Sequence, residues 1–230
     1  KICVWGDSIA KGVVFDEQRG RYVICRDNCL ARMARELGCD VENFAVMGNT
    51  SQQGLERMEK QELEPGALAV IEFGGNDCDL DWKGTSENPD VPQYGKVPLE
   101  KFGENLRAMV EKVRAAGMKP ILVTPPPLVA QRYFAWVSKN LNPKHVLDYL
   151  GDVEHIYRWQ ERYALLVRSV AREMNIALVD VRDLFLAHPR MTDLICADGI
   201  HPNLAGQQLI YKQASKEWPE IMAGRNGTEK

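Results

Sequence analysis

Five short apolar runs, each closed by a glycine, proline or small polar turn, constrain this chain more than any other feature. They are Ile2 to Trp5, Val41 to Val46, Ala67 to Phe73, Lys119 to Thr124 and Ile176 to Val181. Near-continuous apolarity over so few residues marks strands buried on both faces, as in a parallel sheet. The stretches between them carry a helical period instead. Leu30, Met33, Ala34 and Leu37 recur at that spacing in a helix expected from about Tyr22 to Leu37, with Gly38 as its C-terminal cap. The turn from Met47 to Ser51 supplies an N-cap for a helix through Lys60. Pro98 opens another, whose face is Phe102, Leu106, Met109, Val110 and Val113, and Gly117 ends it. Further helices are expected up to Met174 and from Asn203 to Trp218. Strand and helix alternate from end to end. This predicts one α/β domain over residues 1–230, with a mainly parallel sheet and right-handed crossovers.

Four segments escape the alternation. Residues 9–20 are expected to be a polar connection broken at Gly12 and Gly20. Residues 79–97 are rich in Pro, Gly, Asn and Asp, have no periodicity, and are too long for an ordinary connection. Residues 128–157 gather Tyr133, Phe134, Trp136, Tyr149 and Tyr157, with His145 and His155 among them. They are expected to pack as helices or to form a lid or acyl-binding wall, so both this insertion and the 79–97 loop are candidates for shaping a substrate site. The tail from Ala223 is expected to fray.

Ligands of open parallel sheets bind beyond the carboxyl ends of the strands, where the turns open on one edge. Here those turns present Ser8 after the first run, Gly48 after the second and Asn76 after the third, while Asp198 and His201 precede the last helix. Acyl transfer needs such a set. A serine hydroxyl is a weak nucleophile until a base takes its proton, and histidine suits that task near neutral pH. A carboxylate holds the imidazole in one tautomer, and Asp198 lies three positions before His201. The tetrahedral oxyanion needs donors, for which the backbone N–H groups of Ser8 and Gly48 and the side-chain amide of Asn76 are candidates. Each signal alone is ordinary: a turn aspartate, a capping asparagine, a surface histidine before Pro202. Their order and their placement at strand ends carry the reading.

In that order the chain resembles the SGNH (GDSL-type) hydrolase superfamily. The matching blocks are Gly6-Asp7-Ser8, the turn at Gly48, Gly74-Gly75-Asn76-Asp77, and Asp198 to Asn203. Residues 48–55 are similar to the second block of bacterial acyl-thioesterase and lysophospholipase members. The resemblance implies a three-layer αβα sandwich with a five-stranded, flavodoxin-like parallel sheet. It implies Ser8 as nucleophile, His201 as base, Asp198 as its orienting acid, and Ser8, Gly48 and Asn76 as the oxyanion hole. No cofactor or metal is implied. Asn49 stands where many members have Asp, and the 128–157 insertion is longer than in compact members.

Rival chemistries lack their residues. The Gly6–Gly12 stretch has no GxxxxGK signature followed by Ser or Thr, and no GxGxxG follows a strand, which argues against nucleotide binding. Ala10 replaces the second glycine of a GxSxG elbow. A net charge of -3 argues against nonspecific nucleic-acid binding. Six cysteines form no CxxC pair; Cys25 and Cys29 are expected as reduced side chains one helical turn apart. Scattered thiols favour a reducing compartment, so the expected location is cytoplasmic, or secreted if a segment before Lys1 was trimmed. No run of 18 apolar residues provides a membrane anchor. Oligomeric state is not legible. The expected substrates are short-chain or O-acetyl esters on carbohydrates, with Trp82 and Tyr94 available for stacking on a sugar ring. Longer acyl esters, or non-catalytic carbohydrate or lipid binding on the same scaffold, are the alternatives.

Overall fold

A computed structural model of the chain describes residues 1–222; the tail from Ala223, expected to fray, lies outside the described residues. The chain opens with strand β1 (Ile2–Gly6), the one-turn helix α1 (Ser8–Lys11) and a hairpin of β2 (Val13–Asp16) with β3 (Arg21–Ile24). Helix α2 (Cys29–Glu36), strand β4 (Val41–Asn43), helix α3 (Ser51–Met58) and strand β5 (Leu68–Glu72) follow. Then come α4 (Trp82–Glu87), α5 (Leu99–Ala115), β6 (Lys119–Val123), α6 (Ala130–Val137) and α7 (Pro143–Leu150). The remainder is α8 (His155–Glu173), β7 (Ala177–Val179), α9 (Val181–Leu186) and α10 (Leu204–Met222).

All five sheet strands run parallel, in the order β4-β1-β5-β6-β7. The chain steps from β1 to one side and then returns to the other, so the strand order switches direction around β1. The carboxyl ends of β1 and β5 therefore border the crevice where ligands of such sheets bind. Strand alternation explains why β1 is apolar at successive positions. Cys3 and Trp5 enter the core with α5 and α8, whereas Ile2 and Val4 enter the opposite core with α2, α9 and α10. Phe102, Leu106, Met109, Val110 and Val113 are all buried, as the helical spacing predicts. Each such side chain contributes about 1.5–3 kcal/mol by leaving water.

Two local expectations fail, for separate reasons. The helix expected from Tyr22 begins only at Cys29, where the Asn28 side chain accepts from the Ala31 N–H. Residues 13–24 instead form an antiparallel hairpin, pairing Val13 with Ile24 and Phe15 with Tyr22. Val13-Val14-Phe15 and Tyr22-Val23-Ile24 are β-branched or aromatic triplets around a turn ending in Gly20, which is strand chemistry. Cys25 consequently precedes α2 rather than sharing a helix with Cys29; both are free thiols. Residues 79–97 are not wholly irregular, because Asp81 caps the short helix α4 through the Gly84 N–H.

A third hydrophobic cluster stands apart from the two sheet cores. Leu128, Ala130, Val146, Leu150 and Ile156 pack together, with Trp82 and Tyr133 against them. Hydrogen bonds join the 79–97 and 128–157 segments: Ser86 accepts from the Asn142 N–H at 3.0 Å, and the Tyr149 hydroxyl donates to the Gln93 carbonyl at 3.2 Å. Together they form a cap.

Candidate active site

The site begins where β1 stops. Asp7 accepts the Ile9 N–H on its side chain at 2.8 Å and so caps α1, making Ser8 the first helical residue. Early N–H groups of a helix have no intrahelical acceptor, which leaves the Ser8 amide available. Gly6 permits the turn to sit against β5. A Cβ there would lie 2.8 Å from the Glu72 carbonyl oxygen and 2.7 Å from the Ala10 Cβ.

Asp198 and His201 come from a loop that closes on itself. The Cys196 N–H donates to the His201 carbonyl at 2.8 Å, and Ile195 bridges to Pro202. Gly199 turns the loop at φ +84°, and a Cβ there would meet the Tyr133 amide nitrogen at 2.5 Å. Only glycine meets both demands. Within this loop the Asp198 Oδ1 accepts from the N–H groups of Ile200 at 3.0 Å and His201 at 3.2 Å.

The ends of the chain meet here. His201 Nε2 lies 2.8 Å from the Ser8 Oγ, and its Nδ1 lies 2.5 Å from the Asp198 Oδ2. All three residues are buried, Asp198 completely. Burial pushes the Asp198 carboxyl up, but the His201 ring and the two loop amides outweigh it and hold the group below its ordinary range. A carboxylate beside Nδ1 places the ring proton there, so Nε2 presents its lone pair to the serine hydroxyl.

The structure brings Asn76 to the same edge. Its Nδ2 donates one proton to the Asp7 Oδ2 at 2.9 Å, and the amide has a second to give. Gly48 stands differently: it is solvent-exposed at φ +82° and does not line the cavity into which Ser8 and Asn76 open. Its turn is nevertheless fixed, because the buried Asp77 accepts from the Ser51 N–H at 2.8 Å and the Ser51 hydroxyl at 2.5 Å. Burial pushes Asp77 up to about 6 despite those bonds.

Comparison with known proteins is consistent with this geometry. The GDSL-like Lipase/Acylhydrolase family matches residues 4–209. The chain belongs to that family. The acylhydrolase is 28% identical to the isoamyl acetate-hydrolyzing esterase 1 homolog of Bos taurus, over 96% of this chain and 81% of that protein. It is 29% identical to esterase TesA of Pseudomonas aeruginosa, over 96% of this chain and 87% of that protein. Its fold matches the crystal structure of Axe2, an acetylxylan esterase of Geobacillus stearothermophilus, with a TM-score of 0.61 at 21% identity, covering 94% and 92% of the two chains. These esterase relatives make the protein an ester-hydrolysing enzyme.

Two neighbours of the acylhydrolase site were not anticipated from sequence. Tyr22, carried by the hairpin, packs its ring 5.1 Å from that of His201 and shields the imidazole. Its signal was the aromatic strand triplet, which a helical reading hides. Glu72 ends β5 directly beside Gly6 in register and is buried against Asp7. Burial, and then the Asp7 charge, push its carboxyl well above the ordinary range. A lone Glu in an apolar strand was the available sign.

In front of Ser8 the acylhydrolase has a cleft roofed by the cap. Its wall is aromatic: Trp82, Tyr133, Tyr149 and Trp159. Asp79 orients two of them, its Oδ1 accepting from the Trp82 indole and the Tyr133 hydroxyl at 2.7 Å each, while its Oδ2 pairs with Lys96 at 2.7 Å. Among the described residues no three His, Cys, Asp or Glu side chains gather to hold a metal, and no helix is long and apolar enough to cross a membrane.

Proposed function

We propose that the enzyme hydrolyses short-chain esters, foremost O-acetyl esters on carbohydrates, through an acyl-enzyme on Ser8. The observation that carries this reading is the unbroken line Asp198–His201–Ser8, with contacts of 2.5 and 2.8 Å, opening into the cavity. Ser8 Oγ attacks the ester carbonyl as His201 Nε2 takes its proton, and Asp198 stabilises the imidazolium that forms. Charge on the carbonyl oxygen is met by the Ser8 N–H and the free proton of the Asn76 amide, while Gly48, expected as a third donor, stands outside the cleft. The imidazolium then protonates the departing alkoxide. Water, deprotonated by the same histidine, releases the acid. No cofactor enters the scheme.

The acetyl preference draws support from the relatives named for isoamyl acetate and acetylxylan, and from aromatic faces suited to a sugar ring. The longer-chain alternative draws on the same wall, since Leu80, Leu128 and Ile156 also line it. A ladder of p-nitrophenyl esters from acetate to palmitate, run beside an acetylated sugar, separates the two. Highest kcat/KM on acetyl esters and turnover of the sugar ester are expected. A rate that climbs with chain length would move the assignment to long acyl chains, and folded protein inert on every ester would overturn catalysis itself.

A further inference from the structure

Resting on the acetyl reading above, the cleft beyond Ser8 receives the alcohol half of the ester, because an acetyl group has only two carbons and the lining extends from Ser8 and Asn76 out to Tyr149, His155 and Trp159. The polar groups on its wall away from Ser8 are nearly all engaged by the protein. Asp79 is taken by Trp82, Tyr133 and Lys96. The Tyr149 hydroxyl is taken by Gln93, and the Trp159 indole donates to the Cys78 carbonyl at 2.9 Å. Gln160 accepts from the buried Arg182 at 2.9 Å and donates to the Pro126 carbonyl at 3.3 Å. His155 differs. Its Nδ1 lies 2.8 Å from the Leu150 carbonyl, which can only accept, so the proton sits on Nδ1. In the neutral ring Nε2 then carries a lone pair, and among the described residues it has no partner.

We infer that His155 is a specificity-determining residue, whose Nε2 accepts a hydrogen bond from a free hydroxyl on the alcohol half of the substrate. The ring is well placed for this role. It starts α8 at the end of the cap, is half-buried, lines the cavity, and stands edge-on to Trp159 with ring centres 6.2 Å apart. The Leu150 bond fixes its tautomer and the Trp159 edge its tilt, so the acceptor is oriented before substrate arrives. An alcohol bearing a hydroxyl finds an acceptor. A purely aliphatic alcohol leaves it dehydrated and unpaired, which is the basis of discrimination by buried polar groups.

The test compares a mono-O-acetyl methyl glycoside bearing a free hydroxyl next to the ester with its deoxy counterpart, using p-nitrophenyl acetate to establish esterase activity. Wild type is expected to prefer the hydroxylated sugar by about tenfold in kcat/KM, the scale of one hydrogen bond. His155→Asn keeps an N–H for the Leu150 carbonyl but has no atom at the Nε2 position, so the ratio between the two sugars should collapse toward one. His155→Gln, which returns a polar atom there, should restore part of it. A purely structural histidine would lower both sugars together and leave the ratio intact, which would overturn the inference. So would wild type that hydrolyses p-nitrophenyl acetate yet shows no preference for the hydroxyl, with the esterase reading untouched. Wild type inert even on p-nitrophenyl acetate would overturn both.

Discussion

The floor of the site and its cap are built by different means. The floor is the sheet edge: Ser8 follows β1, Asn76 and Asp77 follow β5, and the loop holding Asp198 and His201 is closed by its own backbone bonds. These residues inherit their positions from strands that are buried on both faces. The cap is a small hydrophobic cluster around Val146 and Leu150, tied down at a few points such as Asp79 and the Gly199 turn. The division teaches where each property resides. Bond-breaking chemistry depends on the sheet, which cannot shift without disrupting both cores. On the proposed function, selectivity belongs to a cluster that packs apart from both sheet cores.

The sharpest way to break the comparison is to disable the floor and leave the cap intact. Ser8→Ala removes the proposed nucleophile and the 2.8 Å contact with His201 while deleting one oxygen. Turnover of p-nitrophenyl acetate should fall by roughly 10⁴–10⁶-fold, the scale seen when a triad member is lost. The circular dichroism spectrum should not change. Retained activity would show that another group attacks the ester.

How far the sequence spoke follows the same division. The parallel strands were legible because burial on both faces demands uninterrupted apolar runs, and Ser8, Asn76, Asp198 and His201 were legible because they sit at the ends of such runs or just before the last helix. The structure brings Ser8, His201 and Asp198 into contact and sets Asn76 against Asp7, although the chain separates Ser8 from His201 by 193 positions. The hairpin that carries Tyr22 resembles polar connection and helix in the sequence, since its four-residue strands are too short for periodicity to decide. The cap was illegible for a related reason. Its helices α6 and α7 have eight residues each and bury side chains in a cluster apart from the sheet, α7 against α4 and α6 against α8, so no long-range pattern constrains them. Glu72 escaped because a strand-end carboxylate gains meaning only beside Asp7.

A smaller effect should come from loosening the cap. Asp79→Ala leaves the Tyr133 hydroxyl and the Trp82 indole without their shared acceptor and frees Lys96. An unpaired buried donor costs about 1–3 kcal/mol, spread here over the wall of the cavity. The expected result is a loss of about tenfold in kcat/KM on a sugar ester, carried mainly by KM, with faster proteolysis inside residues 79–97. The measurement is steady-state kinetics on both a sugar ester and p-nitrophenyl acetate. Should kcat on the small ester collapse as well, floor and cap would be one mechanical unit and the division would be wrong.

The smallest effect tests whether the floor carries a weakness of its own. Glu72 lies behind the nucleophile turn with its carboxyl raised by burial and by Asp7, so over a range above the ordinary glutamate pKa the folded protein keeps a proton that the unfolded chain has lost. Where the folded state binds more protons, stability falls as pH rises, until the folded pKa is passed. Asp198 acts in the opposite sense. Its lowered pKa gives stability that is present above the ordinary aspartate range and is lost on acidification through the folded value. Glu72→Gln abolishes the first dependence and leaves the second. Melting curves from pH 3 to 9 should therefore decline less steeply toward the alkaline end for the variant, with a gain there of roughly 2–4 °C, which corresponds to about 1 kcal/mol in a domain of this size. The acid limb should coincide with wild type. Parallel curves across the whole range would mean that Glu72 shares its charge with water in the folded state, and that the ground beneath Ser8 is wetter than its burial implies.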